Sequence, residues 1–417
     1  MSREAGDGAT ASRLKLRRTL TLPWLVLYGL GTTIGAGIYA LTGIVAGRAG
    51  LHAPLCFLLA SLVALFTALS FAELAARFPR AGGEAVFVQE GFGWVGLTRA
   101  VGLLVVAAGL ISAATVSVAF VGYLAEFVQV PRILAIASVV LVIGAVASWG
   151  VRESVVAAGL MTLVEVGGLC VIIGFGGERL LEFPARLGEW VPLGPSDWQA
   201  VASAAILAFY AFLGFEDMVN VAEEVRDVRR VMPLAILITL GITALLYVLV
   251  AVVAVATVPP AELGAAEAPL SLVLERSGGP AALMGVIALF ALLNGALIQV
   301  IKAARVLFGL AREGILPERL GRIHARTRTP VFATLFATFV VALLALSLPL
   351  ATLAQATANV TLVTFALANF ALLRVKRRGP APSGVPSVPM WVPAIGLALN
   401  VALIGFQLAN RLTRFGA

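Results

Sequence analysis

The chain has 417 residues, 60% of them hydrophobic and 12% charged, with a net charge of +8 and a mean hydropathy of +1.00. A soluble domain carries roughly 25% charged residues, so this composition excludes a soluble globular protein and describes a chain made for a bilayer. The basic excess falls between apolar runs, where it is a topology signal rather than a nucleic-acid patch; Cys56 and Cys170 lie inside apolar runs and imply no disulfide framework.

In chain order, residues 1–20 carry Arg13, Lys15, Arg17 and Arg18 with no small-residue cleavage site after them, which predicts a cytoplasmic tail. Apolar runs of roughly 20 residues then recur. They predict an all-α polytopic membrane protein with about 11 spans, at 22–46, 53–75, 94–125, 132–149, 154–177, 198–221, 233–257, 280–309, 331–348, 351–373 and 391–410. The third and eighth are long enough to tilt. Loops are short, except 178–197 with Pro184, Pro192 and Pro195. With the N-terminus inside, the inner segments hold about 20 Lys and Arg against about 7 outside. This predicts a cytoplasmic N-terminus in the cell membrane and, for an odd number of spans, an outer C-terminus.

The first span contains "GTTIGAGIYALTG", Gly31–Gly43. Glycine is a poor helix former, and two readings stay open. Gly31-x-x-x-Gly35 and Gly43-x-x-x-Gly47 fit a helix-packing seam. Alternatively the helix unwinds over Thr33, Ile34, Gly35, Ala36 and Gly37. Unwound backbone in a bilayer needs partners. A zwitterion supplies them: its carboxylate accepts from N–H groups at the positive end of the outer half-helix, and its ammonium meets freed carbonyls. The sixth span repeats the pattern in "AFYAFLGFEDMVNVAEEV", Ala208–Val225, with Tyr210, Ala211, Phe212, Leu213 and Gly214 at its centre. Breaks at matching positions of two halves point to an inverted-repeat transporter. The predicted organisation is a first repeat at 21–178, an extracytoplasmic loop at 179–197, a second repeat at 198–373, and a cytoplasmic basic loop with the last span at 374–417.

A carboxylate at the bilayer centre costs roughly 2.5–3.5 kcal/mol on insertion scales. Glu165 lies mid-span in "MTLVEVGGLCVIIG" with no basic residue in that span. It is read as a proton-coupling site, against a packing role for a neutral or cavity-facing glutamate. Glu216 and Asp217 follow the second break; Glu216 is a second proton-coupling candidate, and both could line the pathway or attract a cationic substrate. Glu73, Glu223 and Glu224 at span ends are expected to form weak ion pairs. From Met284 through Gly314 there is no Ser or Thr, leaving Asn294 and Gln299 as polar candidates, which argues against sodium coupling. His52 and His324 are far apart, and no metal spacing or phosphate loop appears. No enzyme activity, cofactor or metal is expected.

These segments resemble the amino acid–polyamine–organocation (APC) superfamily. The match is carried by "GTTIGAGIY", "FPRAGGEAVFVQEGFG" (Phe78–Gly93), "AFLGFEDMVNVAEEVRDVRRVMP" (Ala211–Pro233), "ARVLFGLAREGILP" (Ala304–Pro317) and "HARTRTP" (His324–Pro330). The resemblance implies a five-plus-five inverted repeat working by alternating access. It places a substrate carboxylate on the N–H groups of Ala36 and Gly37 and an amino group on the carbonyls of Thr33, Tyr210 and Leu213. Tyr210 takes the place of an aromatic gate. Ala36 stands where relatives often have Ser, so only backbone donors remain there. Glu165 stands where some proton-coupled relatives carry a lysine, so that mechanism does not carry over unchanged. Many relatives have twelve spans, which leaves a homo-oligomer interface open. The resulting expectation is a proton-coupled amino acid permease; an amino acid or polyamine antiporter or exporter and a non-transporting binding subunit are the alternatives.

Overall fold

The computed structural model of the chain describes residues 20–80, 82–149, 155–182, 187–327 and 329–415. The N-terminal tail expected at 1–20 lies almost wholly outside them, as does the middle of the 179–197 loop. The first span enters as α1 (Leu22–Thr33), with Pro23 in its first turn, where a missing N–H is harmless. The helix stops at Ile34–Gly35 and resumes as α2 (Ala36–Ala49). Halves of 12 and 14 residues are each too short for a hydrocarbon core of about 30 Å and span it only together.

The chain returns through α3 (Ala53–Arg77), turns at the short α4 (Gly83–Phe92), and crosses in α5 (Val95–Leu124), α6 (Arg132–Trp149) and α7 (Val155–Phe175). Short helices α8 (Gly177–Glu182) and α9 (Leu187–Trp190) lead to α10 (Pro195–Tyr210). After a turn at 211–214 the sixth span continues as a 3-10 helix, Phe215–Glu224. Then come α11 (Val228–Thr257), the paired short helices α12 (Pro260–Ala265) and α13 (Pro269–Arg276), α14 (Ala281–Arg312), α15 (Val331–Ser347), α16 (Leu350–Arg378) and α17 (Trp391–Phe415).

Among the described residues, eight helical stretches are long and apolar enough to cross a membrane, and Gly159–Phe175 and Val331–Ser347 are shorter apolar helices. The first of the eight, Gly37–Arg77, holds both α2 and α3, so these stretches account for the eleven predicted spans. No strand forms among the described residues. One isolated bridge pairs Leu20 with Val225, joining the approach to α1 with the end of the 3-10 segment.

The broken spans sit at the centre. α1 packs on α11 and α7, and α2 on α10 and α12; α5 lies against α14 and α16. Close approach needs small side chains where lipid is as apolar as leucine. On α3 the buried face is Ala60, Ala64, Ala68 and Ala72, one residue per turn. Outward residues such as Leu141, Leu163 and Phe339 are large, apolar and exposed. Buried hydroxyls are absorbed locally: Thr42 donates to the Ile38 carbonyl (2.6 Å) and Ser117 to that of Ala113 (2.8 Å).

The structure differs from the sequence reading in three places. The 258–279 connection is not a short loop; it folds into α12 and α13 over α2. A Cβ on Gly47 would stand 2.8 Å from the Gly264 Cα, so Gly43 and Gly47 do form a packing seam. Arg374–Arg378 are the last turn of α16 rather than a loop, where cations suit the negative end of the helix. Glu73 is no exposed span-end pair: it is buried and accepts from Arg77, from Lys376 (2.7 Å to each oxygen) and from the Val388 N–H (2.8 Å).

Candidate functional site

Each break is opened by a glycine. The Ile34 N–H closes α1 on the Leu30 carbonyl (2.7 Å), and Gly35, at φ −64° and ψ −126°, turns the backbone out of the helix. The break is narrower than the Thr33–Gly37 stretch expected, because Ala36 and Gly37 already form the first turn of α2. That turn has no side-chain cap, so the N–H groups of Ala36, Gly37 and Ile38 have no partner within the helix. In the second break Ala211, Phe212 and Leu213 donate to the carbonyls of Ala208, Phe209 and Tyr210 at 3.0, 3.0 and 3.1 Å, tightening the chain before Gly214 reverses it at φ +130°.

The two breaks touch. A Cβ on Gly37 would fall on the backbone of Ala211, and one on Gly214 would fall on the Thr32 carbonyl. The single proton of the Thr32 hydroxyl is shared between the Gly29 carbonyl of its own helix and the Gly214 carbonyl, both at 3.0 Å, and the Gly214 N–H is held by Glu216 Oε2 (2.7 Å). Tyr247 of α11 donates to the Thr33 carbonyl (2.9 Å). A carbonyl accepts twice, so those of Thr33 and Tyr210 each keep a lone pair.

Beside this junction lies a narrow cavity, a cleft between the two breaks, α5 and α14. The first break contributes Gly31, Thr32, Thr33, Gly35 and Gly37; the second contributes Tyr210 and Leu213. Of the other predicted site residues, Ile34 packs into the core and Phe212 packs at a tilt against Tyr247, 5.1 Å between ring centres. Ala211 lies under Gly37, and Gly214 shapes the turn; neither is part of the wall. Ala36 begins α2. Sequence reasoning passed over Ser112 and Val116 of α5, which complete the wall with Gly295, Ile298 and Gln299 of α14. Ser112 and the Tyr210 hydroxyl are 2.9 Å apart, tying the predicted gate to α5. Their signal is weak in sequence, since Ser112 is one of several hydroxyl residues in a small-residue span.

The charges flank this cavity without lining it. Glu165 is 2% exposed; one oxygen accepts from Asn294 Nδ2 at 3.5 Å and the other has no protein partner. Its backbone carbonyl accepts from Tyr39 of α2 (2.7 Å). Past the second break, Asp217 is bonded by Lys302 of α14 at 2.8 and 3.0 Å. Lys302 drew no attention in the sequence, because its partner lies 85 residues away on another span. Along α14, Asn294, Ile298 and Lys302 follow at four-residue spacing on one face. Glu165, the cavity and Asp217 are therefore stacked in that order beside it.

A bundle of apolar crossings with two helices broken at a common central cavity defines a polytopic membrane transporter. The chain belongs to the amino acid permease family, which it matches over residues 19–411. It is 28% identical to the branched-chain amino acid permease BcaP of Bacillus subtilis (strain 168), covering 95% of this chain and 89% of that one. It is also 28% identical to the methylthioribose transporter of the same organism, covering 94% and 88%. It is 30% identical to cationic amino acid transporter 3, mitochondrial, of Arabidopsis thaliana, covering 89% of this chain and 64% of that longer protein.

Proposed function

We propose that the chain is a secondary active permease that carries amino acids across the cell membrane by alternating access, driven by protons. The observation that carries this reading is the meeting of the two breaks at the cavity. In this reading the uncapped first turn of α2 offers its N–H groups to a carboxylate, and the carbonyls of Thr33, Tyr210 and Leu213 take an ammonium. The side-chain end of the cavity has Val116, Leu213 and Ile298, with Ser112 and Gln299 as neutral polar groups. A cationic side chain would need a carboxylate in that wall, and Glu216 and Asp217 are bonded elsewhere. A neutral aliphatic amino acid fits best. Glu165, buried with one oxygen unpartnered and one turn of α14 from the cavity, is the proton-coupling residue of this reading.

Purified protein in liposomes tests it. An imposed inward proton gradient is expected to drive accumulation of labelled neutral aliphatic amino acids, and a protonophore to abolish it; uptake indifferent to the gradient removes the proton from the mechanism. Glu165→Gln is expected to lose gradient-driven accumulation while keeping exchange of labelled for unlabelled substrate. Unaltered accumulation in that variant would dismiss Glu165.

A further inference from the structure

Lys302 has no part in the reading above, yet its placement is specific. It lies ten residues before the end of α14 at Arg312, too deep to be a terminal lysine reaching for water. Its side chain is 18% exposed and that of Asp217 is 6% exposed, and the ammonium spans both carboxylate oxygens. Asp217 also donates its N–H to the Gly214 carbonyl (3.0 Å), the same oxygen that accepts from Thr32. A continuous path of bonds therefore runs from α14 through the second break to the first. Two more buried carboxyls, Glu216 of the 3-10 segment and Glu84 of α4, are near enough to act on the ammonium electrostatically.

The segment that carries Asp217 needs an outside tie. Ten residues of 3-10 helix greatly exceed the usual run of about 3–4, and such a helix is poorly held by its own hydrogen bonds. Its far end is fastened by the Leu20–Val225 bridge; its near end is fastened by Lys302. Removing either partner of a buried ion pair leaves a buried charge uncompensated, so the tie is strong while it stays dry.

We propose that Lys302 is a positioning residue of the substrate cavity: it clamps the Phe215–Glu224 segment to α14, closes the cavity on the face that carries Leu20, and must release Asp217 for the cavity to open there. This rests on the permease reading, but its test does not need transport. In a background without Cys56 and Cys170, a single reporter cysteine at Ser112 is labelled with a membrane-impermeant maleimide from either face of oriented vesicles. Lys302→Met and Asp217→Asn are each expected to speed labelling from the Leu20 face by about fivefold or more, with no gain from the opposite face. The exchanged pair, Lys302→Asp with Asp217→Lys, is expected to return to the parental rate. Asp217→Asn keeps the size of the side chain, so it serves where Lys302→Met folds poorly. Unchanged labelling in Asp217→Asn, or an equal gain from both faces, overturns the clamp. The unaltered chain, with Ser112 intact, moving no amino acid in liposomes would instead count against the permease reading and leave the labelling result for the clamp standing.

Discussion

At the scale of single residues, two glycines hold the breaks together. Gly214 sits at φ +130°, a region closed to other residues, and any Cβ there would also strike the Thr32 carbonyl. Gly37 presses on the Ala211 backbone, which cannot swing aside as a side-chain tip can. Gly214→Ala is expected to cost about 1–3 kcal/mol of stability from backbone strain alone. Gly37→Ala is expected to cost a similar ~1–3 kcal/mol by overpacking and to push the two breaks apart. Thermal denaturation of purified protein, with and without neutral amino acids, checks both. Both variants are expected to melt below the parent and to lose the stabilisation by substrate. A Gly214→Ala protein that melts with the parent and still responds to substrate would show that the breaks do not depend on this contact.

At the scale of elements, Glu73 is the point where α3, α16 and the 379–390 connection meet. Its exposure is 1%, against 5% for Arg77 and 8% for Lys376. Ser387 and the Val388 N–H complete its bonds. Glu73→Ala leaves two cations buried without their counter-charge, at an expected cost of about 3–5 kcal/mol. Adding Lys376→Met removes one of those orphans, so the double variant is expected to lose less than the two single changes together, with a coupling of about 0.5–3 kcal/mol. Additive melting shifts would mean that the three elements are not joined here. The contrast with Glu165 shows what was legible beforehand. A glutamate in the middle of an apolar run stands out, whereas Glu73 four residues before Arg77 looks like an ordinary surface pair, since its decisive partner is some three hundred residues away. The helix breaks were legible because glycine and threonine interrupt apolar spans. Their true width was not, because Ala36 and Gly37 join α2 once its first turn packs on Ala211. Lys302, Ser112 and the lid of α12 and α13 depend on pairings between distant spans, which leave no local pattern.

At the scale of the whole molecule, the arrangement of large and small residues is that of a protein solvated by lipid. Alanine fills the helix contacts while Leu141, Leu163, Phe339 and Leu343 face outward, as expected where packing rather than hydrophobicity joins helices. The direction in which such a bundle is inserted is set by lysine and arginine near the span ends. On the Leu20 face the described ends carry Arg77 and Arg80 after α3, Arg226, Arg229 and Arg230 before and within the start of α11, Arg312 at the end of α14, and the cluster that closes α16. The opposite face carries Arg48, Arg132, Arg179 and Arg276 at its helix ends. We propose from the excess on the Leu20 face that this face is cytoplasmic, which with eleven crossings would put residue 415 outside. Single cysteines in the N-terminal tail and after α17, in a background without Cys56 and Cys170, test this in intact cells with an impermeant maleimide. The C-terminal cysteine is expected to label directly and the N-terminal one only after permeabilisation. Labelling of both from outside, or of neither, would require an even number of crossings and would remove one of the apolar helices from the membrane.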